Sequence, residues 1–143
     1  MKKSFIAIAC ILGLLYACRK DIVDIQPAPA DTTLEKISQH DWTITRLDIN
    51  GNNVFGLVIP ACQQDDSYRF YKDSVMSQYE NANVCVGNAD SSQSHWQLYN
   101  GTKSIIATVF GTTDTANIEL ITDTELTISL DYNGNPAVIY FKK

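Results

Sequence analysis

This 143-residue sequence has few of the residues that mark specialised folds. Seven glycines and four prolines are too few for a fibrous or low-complexity chain. Hydrophobic residues make up 45% and charged residues 19%, which excludes an acidic disordered chain and a polytopic membrane protein. Only 11 basic residues stand against 16 acidic ones, so no nucleic-acid partner is expected, because phosphate binding needs clustered Lys and Arg. The length allows one ordinary domain.

Residues for catalysis and metal binding are also scarce. The only histidines are His40 and His95, and their spacing singles out no serine and aspartate as partners in a hydrolytic triad. The nucleophile-elbow, zinc-protease, P-loop and dinucleotide-binding motifs are missing. Asp65-Asp66 lacks calcium-loop spacing and is interpreted as a turn before a strand. The sequence therefore predicts a protein that is not an enzyme and has no metal and no cofactor.

The first residues have the composition of a targeting signal. Lys2 and Lys3 precede an unbroken apolar run of 13 residues, Phe5 to Ala17, which is too short for a membrane-spanning helix of about 20 residues. The run ends in Leu15-Tyr16-Ala17-Cys18 and resembles a bacterial lipoprotein signal, in which cleavage leaves the cysteine at the new N-terminus carrying a diacylglyceryl group. An ordinary secreted protein and a signal anchor are the alternatives.

The lipoprotein resemblance implies a specific organisation. Residues 1–17 are a signal peptide that is removed, and Cys18 is the lipidation site. Two or more acyl chains anchor a protein stably, so the membrane becomes a partner through the N-terminal lipid. We expect a lipid-anchored protein of the cell envelope, in the outer membrane on its periplasmic or surface face. The remaining 126 residues carry nine basic and 16 acidic residues, a net charge of −7.

Two cysteines remain after the signal. In a compartment that permits disulfides, Cys62 and Cys85 could pair and close a 24-residue loop. Two free buried thiols, or half of a metal site, are the alternatives. A metal site is disfavoured because neither cysteine belongs to a closely spaced pair.

After Cys18 the chain divides at about residue 32 into a proline-containing segment and the start of the folded domain. Residues 18–31 contain Pro27 and Pro29 and are predicted to form a flexible tether. Thr32 and Glu35 have capping-box spacing, which predicts a two-turn helix over Asp31 to Gln39 that plugs or covers a sheet. The domain is assigned to residues 32–143.

From Asp41 onward, short β-rich runs alternate with turn residues. Trp42 and Ile44 share one face of the first run while Leu47 and Ile49 share the other, which predicts a bulge near Arg46. Lys72-Asp73 is a two-residue link of hairpin length, and Asn100-Gly101 and Asn133-Gly134 are hairpin signals. About eight consecutive strands with short links predict an all-β fold, a small antiparallel eight-stranded barrel with a short N-terminal helix.

A family resemblance accompanies this pattern. Trp42 opens the first strand, Cys62-Gln63-Gln64-Asp65-Asp66 precedes Tyr68-Arg69-Phe70, and Cys85 precedes Trp96-Gln97-Leu98. From about Leu34 to Lys143 the chain resembles the lipocalin-like domains of Bacteroidota lipoproteins. The resemblance implies a lipocalin-like eight-stranded barrel with a linking disulfide.

Two functional hypotheses follow. An eight-stranded barrel is either filled by side chains or holds one small ligand. Five large aromatic residues are candidates for core packing or for a ligand wall: Trp42, Tyr68, Phe70, Trp96 and Phe110. The leading hypothesis is a small apolar ligand in the barrel. The alternative is a non-enzymatic structural or interaction module that docks on an envelope protein through its outer face or the loop Cys62 to Asp66.

Overall fold

The structure, a computed structural model, describes residues 32–109 and 111–143, with the side chain of Val109 not described. The predicted signal peptide, the predicted tether and Cys18 lie outside these residues, as does Phe110. Helix α1 spans Thr32–Gln39, within the range that the sequence predicted. It buries Ile37 against the barrel, and Leu34 packs there partly buried.

In the described residues, nine strands follow α1. Two short helical segments lie between the second and third strands, α2 (Phe55–Val58) and a 3-10 turn (Ala61–Gln63). The strands are β1 (Asp41–Ile49), β2 (Asn52–Asn53), β3 (Ser67–Phe70), β4 (Val75–Tyr79), β5 (Ser91–Tyr99), β6 (Ser104–Val109), β7 (Thr112–Ile121), β8 (Glu125–Tyr132) and β9 (Asn135–Lys142).

Eight of these strands close into a barrel. β1, β3, β4, β5, β6, β7, β8 and β9 pair in that order, every pair antiparallel, and β9 pairs back onto β1. The two-residue strand β2 only extends the β1 hairpin. Closure removes the open sheet edges at which proteins aggregate. The prediction of an all-β, antiparallel eight-stranded barrel with a short N-terminal helix is confirmed.

The bulge and turns follow the local sequence. The β1–β9 register shifts between Ile44 and Arg46, which confirms the predicted bulge. Asn133-Gly134 connects β8 to β9 with positive φ angles of 54° and 80°, as a tight two-residue hairpin turn requires. The link between β3 and β4 is longer than predicted. Four residues, 71–74, join the strands because the ladder ends at the Phe70–Met76 pair and Ser74 takes a positive φ of 70°.

The two ends of the barrel are built differently. At the α1 end the interior is filled by large side chains, and the Nε1 of Trp42 donates a hydrogen bond of 2.9 Å to the carbonyl of Ile37. This bond joins the start of β1 to the helix that closes that end. At the opposite end, the segment from Val54 to Asp66 covers the barrel, and the interior there is not filled.

Candidate functional site

A cavity of about 300 Å³ lies inside the barrel at the end away from α1. Val58 and Tyr132 line it and are about half exposed, which places them at its opening. Ligand pockets commonly begin at about this volume. Since a water molecule occupies about 30 Å³ in the liquid, the cavity has room for about ten non-hydrogen atoms.

Aliphatic side chains from four strands of the barrel form most of the wall. The paired residues in each ladder point to the same face, so the inward positions of β1, β9, β8 and β6 meet around the cavity. The larger wall residues are Leu47, Ile49, Ile105, Ile128, Leu130 and Ile139.

Three alanines keep this end of the barrel hollow. Ala107, Ala116 and Ala137 are all buried and line the cavity from β6, β7 and β9. Nearer α1 on two of these strands the buried residues are larger, Ile105 on β6 and Phe141 on β9. The small size of these three side chains leaves this end of the interior unfilled.

The roof of the cavity comes from the segment between β2 and β3. Val58, Ile59 and Pro60, with Gln63, line the cavity from above, and Ile59 is 4% exposed. The roof is tied to the barrel wall because the backbone N–H of Val54 donates to the carbonyl of Leu47 at 2.8 Å.

A disulfide holds the roof to the loop between β4 and β5. Cys62 and Cys85 are bonded, with their Cα atoms 5.1 Å apart, so the pairing that the sequence left open is the disulfide. The carboxylate of Asp65 accepts hydrogen bonds from the backbone N–H groups of Ala82 and Asn83, at 2.9 and 3.1 Å. Burial alone would raise the pKa of Asp65, but these hydrogen bonds outweigh burial and lower the pKa.

Four polar side chains line the cavity. Gln63 lies in the roof, and Thr112, Asp114 and Tyr132 lie on the wall. None of the lining residues is Lys, Arg or His. Among the described residues, Asp114 is the one carboxylic acid that lines the cavity.

The aromatic residues singled out in the sequence are in the packed end of the barrel. Trp42, Tyr68, Phe70 and Trp96 are at most 3% exposed, belong to the core, and do not line the cavity. Phe70 and Trp96 meet edge to face with ring centres 5.1 Å apart. Of the two roles considered for these four residues, the structure places them in the core. Phe110, the fifth candidate, lies outside the described residues.

A second buried polar group lies under the end of the roof segment. Asp66 is 1% exposed, and its Oδ2 accepts a hydrogen bond of 2.7 Å from Gln78. Its Oδ1 and the hydroxyl of Ser77 are buried with no hydrogen-bond partner among the described residues. Burial, reinforced by the nearby charges of Glu80 and Asp65, raises the pKa of Asp66.

Among residues 32–109 and 111–143, neither histidine is paired with a carboxylate. His95 contacts the backbone carbonyl of Ser74, and His40 packs edge-on against Trp42. Across residues 32–109 and 111–143, no three His, Cys, Asp or Glu side chains are grouped so as to hold a metal ion.

The sequence analysis missed the cavity wall. The pattern that could have revealed the wall is the alternation of small and branched residues at inward positions. Examples are Ile105 and Ala107 on β6, and Ala116 two positions after Asp114 on β7. The search for large aromatics pointed instead to the end of the barrel that such residues fill.

No protein-family model matches the chain, and no curated protein matches it significantly. Within the described part of the chain, no helix has the length and apolar character needed to cross a membrane.

Proposed function

We propose that this protein is a lipid-anchored, lipocalin-like lipoprotein of the cell envelope that binds a small apolar ligand inside its barrel and catalyses no reaction. The ligand would occupy the cavity between the roof segment and the alanine-lined wall. One observation carries the proposal: a closed barrel keeps a largely apolar cavity of about 300 Å³ at one end while large buried side chains occupy its other end.

Because large side chains fill the α1 end of the barrel, the unfilled space at the opposite end requires an explanation. Protein interiors are packed as densely as organic crystals, and empty space costs stability. Because the same barrel accommodates two tryptophans at the α1 end, larger residues at Ala107, Ala116 and Ala137 would have filled the void. A bound molecule would supply the missing contacts and recover that stability.

The membrane part of the proposal concerns Cys18. The lipoprotein-like signal that precedes it supports attachment through acyl chains, with the outer membrane as the proposed location. When residues 1–17 are replaced by a secretory signal peptide whose cleavage needs no cysteine, Cys18→Ala should release the protein into the soluble fraction and abolish the acyl mass on its N-terminal peptide. Membrane retention of the variant would contradict the anchor without touching the ligand proposal.

Ligand binding is tested on the chain from residue 18 onward with Cys18→Ser, after circular dichroism confirms its β spectrum. Native mass spectrometry of this protein, purified from its host and then incubated with an envelope lipid extract, should reveal bound molecules of about ten non-hydrogen atoms. Ala116→Leu should reduce the adduct, because its three added carbon atoms take up about 90 Å³ of the cavity. Ala82→Leu, the same change at an exposed loop position, should retain it. A protein that neither carries nor accepts a ligand contradicts the proposal.

A second candidate function rests on exposed apolar side chains beside the roof. Leu57 is 87% exposed in α2, and Val84 and Val86 flank Cys85 with 53% and full exposure. Such residues are typical of a surface that docks on another protein, here an envelope partner. A photo-crosslinking amino acid at position 57 should then capture one dominant partner in cells. The same residue at position 123, at the opposite end, should not.

A further inference from the structure

The carboxylate of Asp114 inside the cavity narrows the class of ligand that the cavity can bind. Asp114 is the third residue of β7 and pairs with the buried Ala107 of β6, so its side chain faces the barrel interior. Ala116, two residues further along the same strand, is buried on the same face. Strand interiors are depleted in aspartate, and this position serves no turn or helix cap.

Asp114 differs from the other acidic residues that are withdrawn from solvent. It is half-buried, and its carboxylate has no hydrogen bond or ion pair with any residue in the ranges 32–109 and 111–143. Each of the other buried or half-buried acids in these ranges has a polar partner. They are Glu35, Asp48, Asp65, Asp66, Glu80 and Glu125.

A carboxylate in this position discriminates between ligands by their charge. A neutral apolar molecule that fills the cavity displaces water from Asp114 without replacing its hydrogen bonds, which is unfavourable. An anion adds repulsion between like charges in a site of low polarity. A protonated amine replaces the lost water with a charge-assisted hydrogen bond. No Lys, Arg or His on the cavity wall competes for the carboxylate.

We propose that the cavity binds a small hydrophobic amine, with its apolar part against the alanine-lined wall and its ammonium group paired with Asp114. This inference rests on the proposed ligand-binding function and adds the charge of the ligand. The net charge of −7 on residues 18–143 assists the approach of such a cation.

The test compares three compounds with one chain length and different head groups: octylamine, 1-octanol and octanoate. Each has about ten non-hydrogen atoms, the number for which the cavity has room. Titration calorimetry at pH 7 on the Cys18→Ser chain from residue 18 should give at least a tenfold lower Kd for octylamine than for octanol. A factor of ten corresponds to about 1.4 kcal/mol. Octanoate should bind most weakly.

Variants assign the preference to one carboxylate. Asp114→Asn keeps the size and should reduce the octylamine advantage to within about twofold of octanol. Asp123→Asn removes the same charge from an exposed loop at the α1 end and should leave the advantage intact. Ala116→Leu should weaken all three compounds together.

The outcomes separate this inference from the function on which it rests. If octanol binds but octylamine binds no better, or if Asp114→Asn keeps the preference, the amine proposal is wrong while the ligand carrier stands. If octanoate binds best, it is also wrong. If none of the compounds binds and envelope extracts supply no ligand, both proposals are wrong.

Discussion

Filling the cavity should stabilise the protein. Ala116→Leu adds three carbon atoms, about 90 Å³ at the volume that a water molecule occupies, to a cavity of about 300 Å³. Burying them contributes at most about 2.4 kcal/mol, at about 0.8 kcal/mol per methylene group. Lost side-chain freedom and imperfect fit reduce the gain, and cavity-filling substitutions commonly give about 0.5–2 kcal/mol. We therefore expect the free energy of unfolding to rise by about 1–2 kcal/mol.

Urea unfolding followed by tryptophan fluorescence measures this change. Trp42 and Trp96 are buried in the packed end, so they report global unfolding without touching the substituted site. Leu126→Phe adds volume to the packed end, where Leu126 is 1% exposed, and should destabilise by about 1–3 kcal/mol. Equal destabilisation by both substitutions would refute the reasoning, because it would mean that the barrel in solution has no void at Ala116.

Three further predictions concern the packed end and the roof. The double variant Cys62→Ala/Cys85→Ala should lose about 3 kcal/mol of stability in urea unfolding, since the disulfide closes a 24-residue loop, and addition of a reductant should then have no further effect. Asp66→Asn should be more stable than the parent at pH 7. Burial and neighbouring charges raise the pKa of Asp66 in the folded state, so protonation of Asp66 favours folding. This contribution to stability is present below the ordinary pKa near 3.8 and is lost as the pH rises through the raised pKa of the folded state. The advantage of the variant should therefore shrink towards pH 4, and a difference independent of pH would argue against a raised pKa. Trp42→Phe should lower the free energy of unfolding by about 1–3 kcal/mol, measured by thermal or urea unfolding, because it leaves the buried carbonyl of Ile37 without its hydrogen-bond donor. A neutral effect would show that α1 is not held through this bond.

The barrel could be predicted because its signals are local. Asn100-Gly101 and Asn133-Gly134 take positive φ angles that few other residue pairs tolerate, so these sequences encode hairpins wherever they occur between strands. The change of face between Ile44 and Leu47 likewise encoded the bulge in β1. The link between β3 and β4 was misjudged because the end of a ladder depends on pairing with the neighbouring strand as well as on the turn residues.

The candidate site could not be predicted in the same way. Local patterns mark which residues of a strand face inward, but the strands that surround a cavity are far apart in the sequence. Leu47 and Ile139 become neighbours only through the β1–β9 closure. The segment from Val54 to Asp66 has no periodicity that marks it as a roof, and it takes that position through the Cys62–Cys85 bond and its contacts with the barrel.

The sequence by itself determined the strands, their turns and the small size of the inward residue at positions such as Ala116, because these depend on neighbouring residues and on side-chain volume. Only the tertiary structure decided that three alanines from different strands meet at one end, and that Asp114 faces the space they leave. The physical reason is that a void is a property of several side chains surrounding one volume. No single residue and no local pattern specifies it.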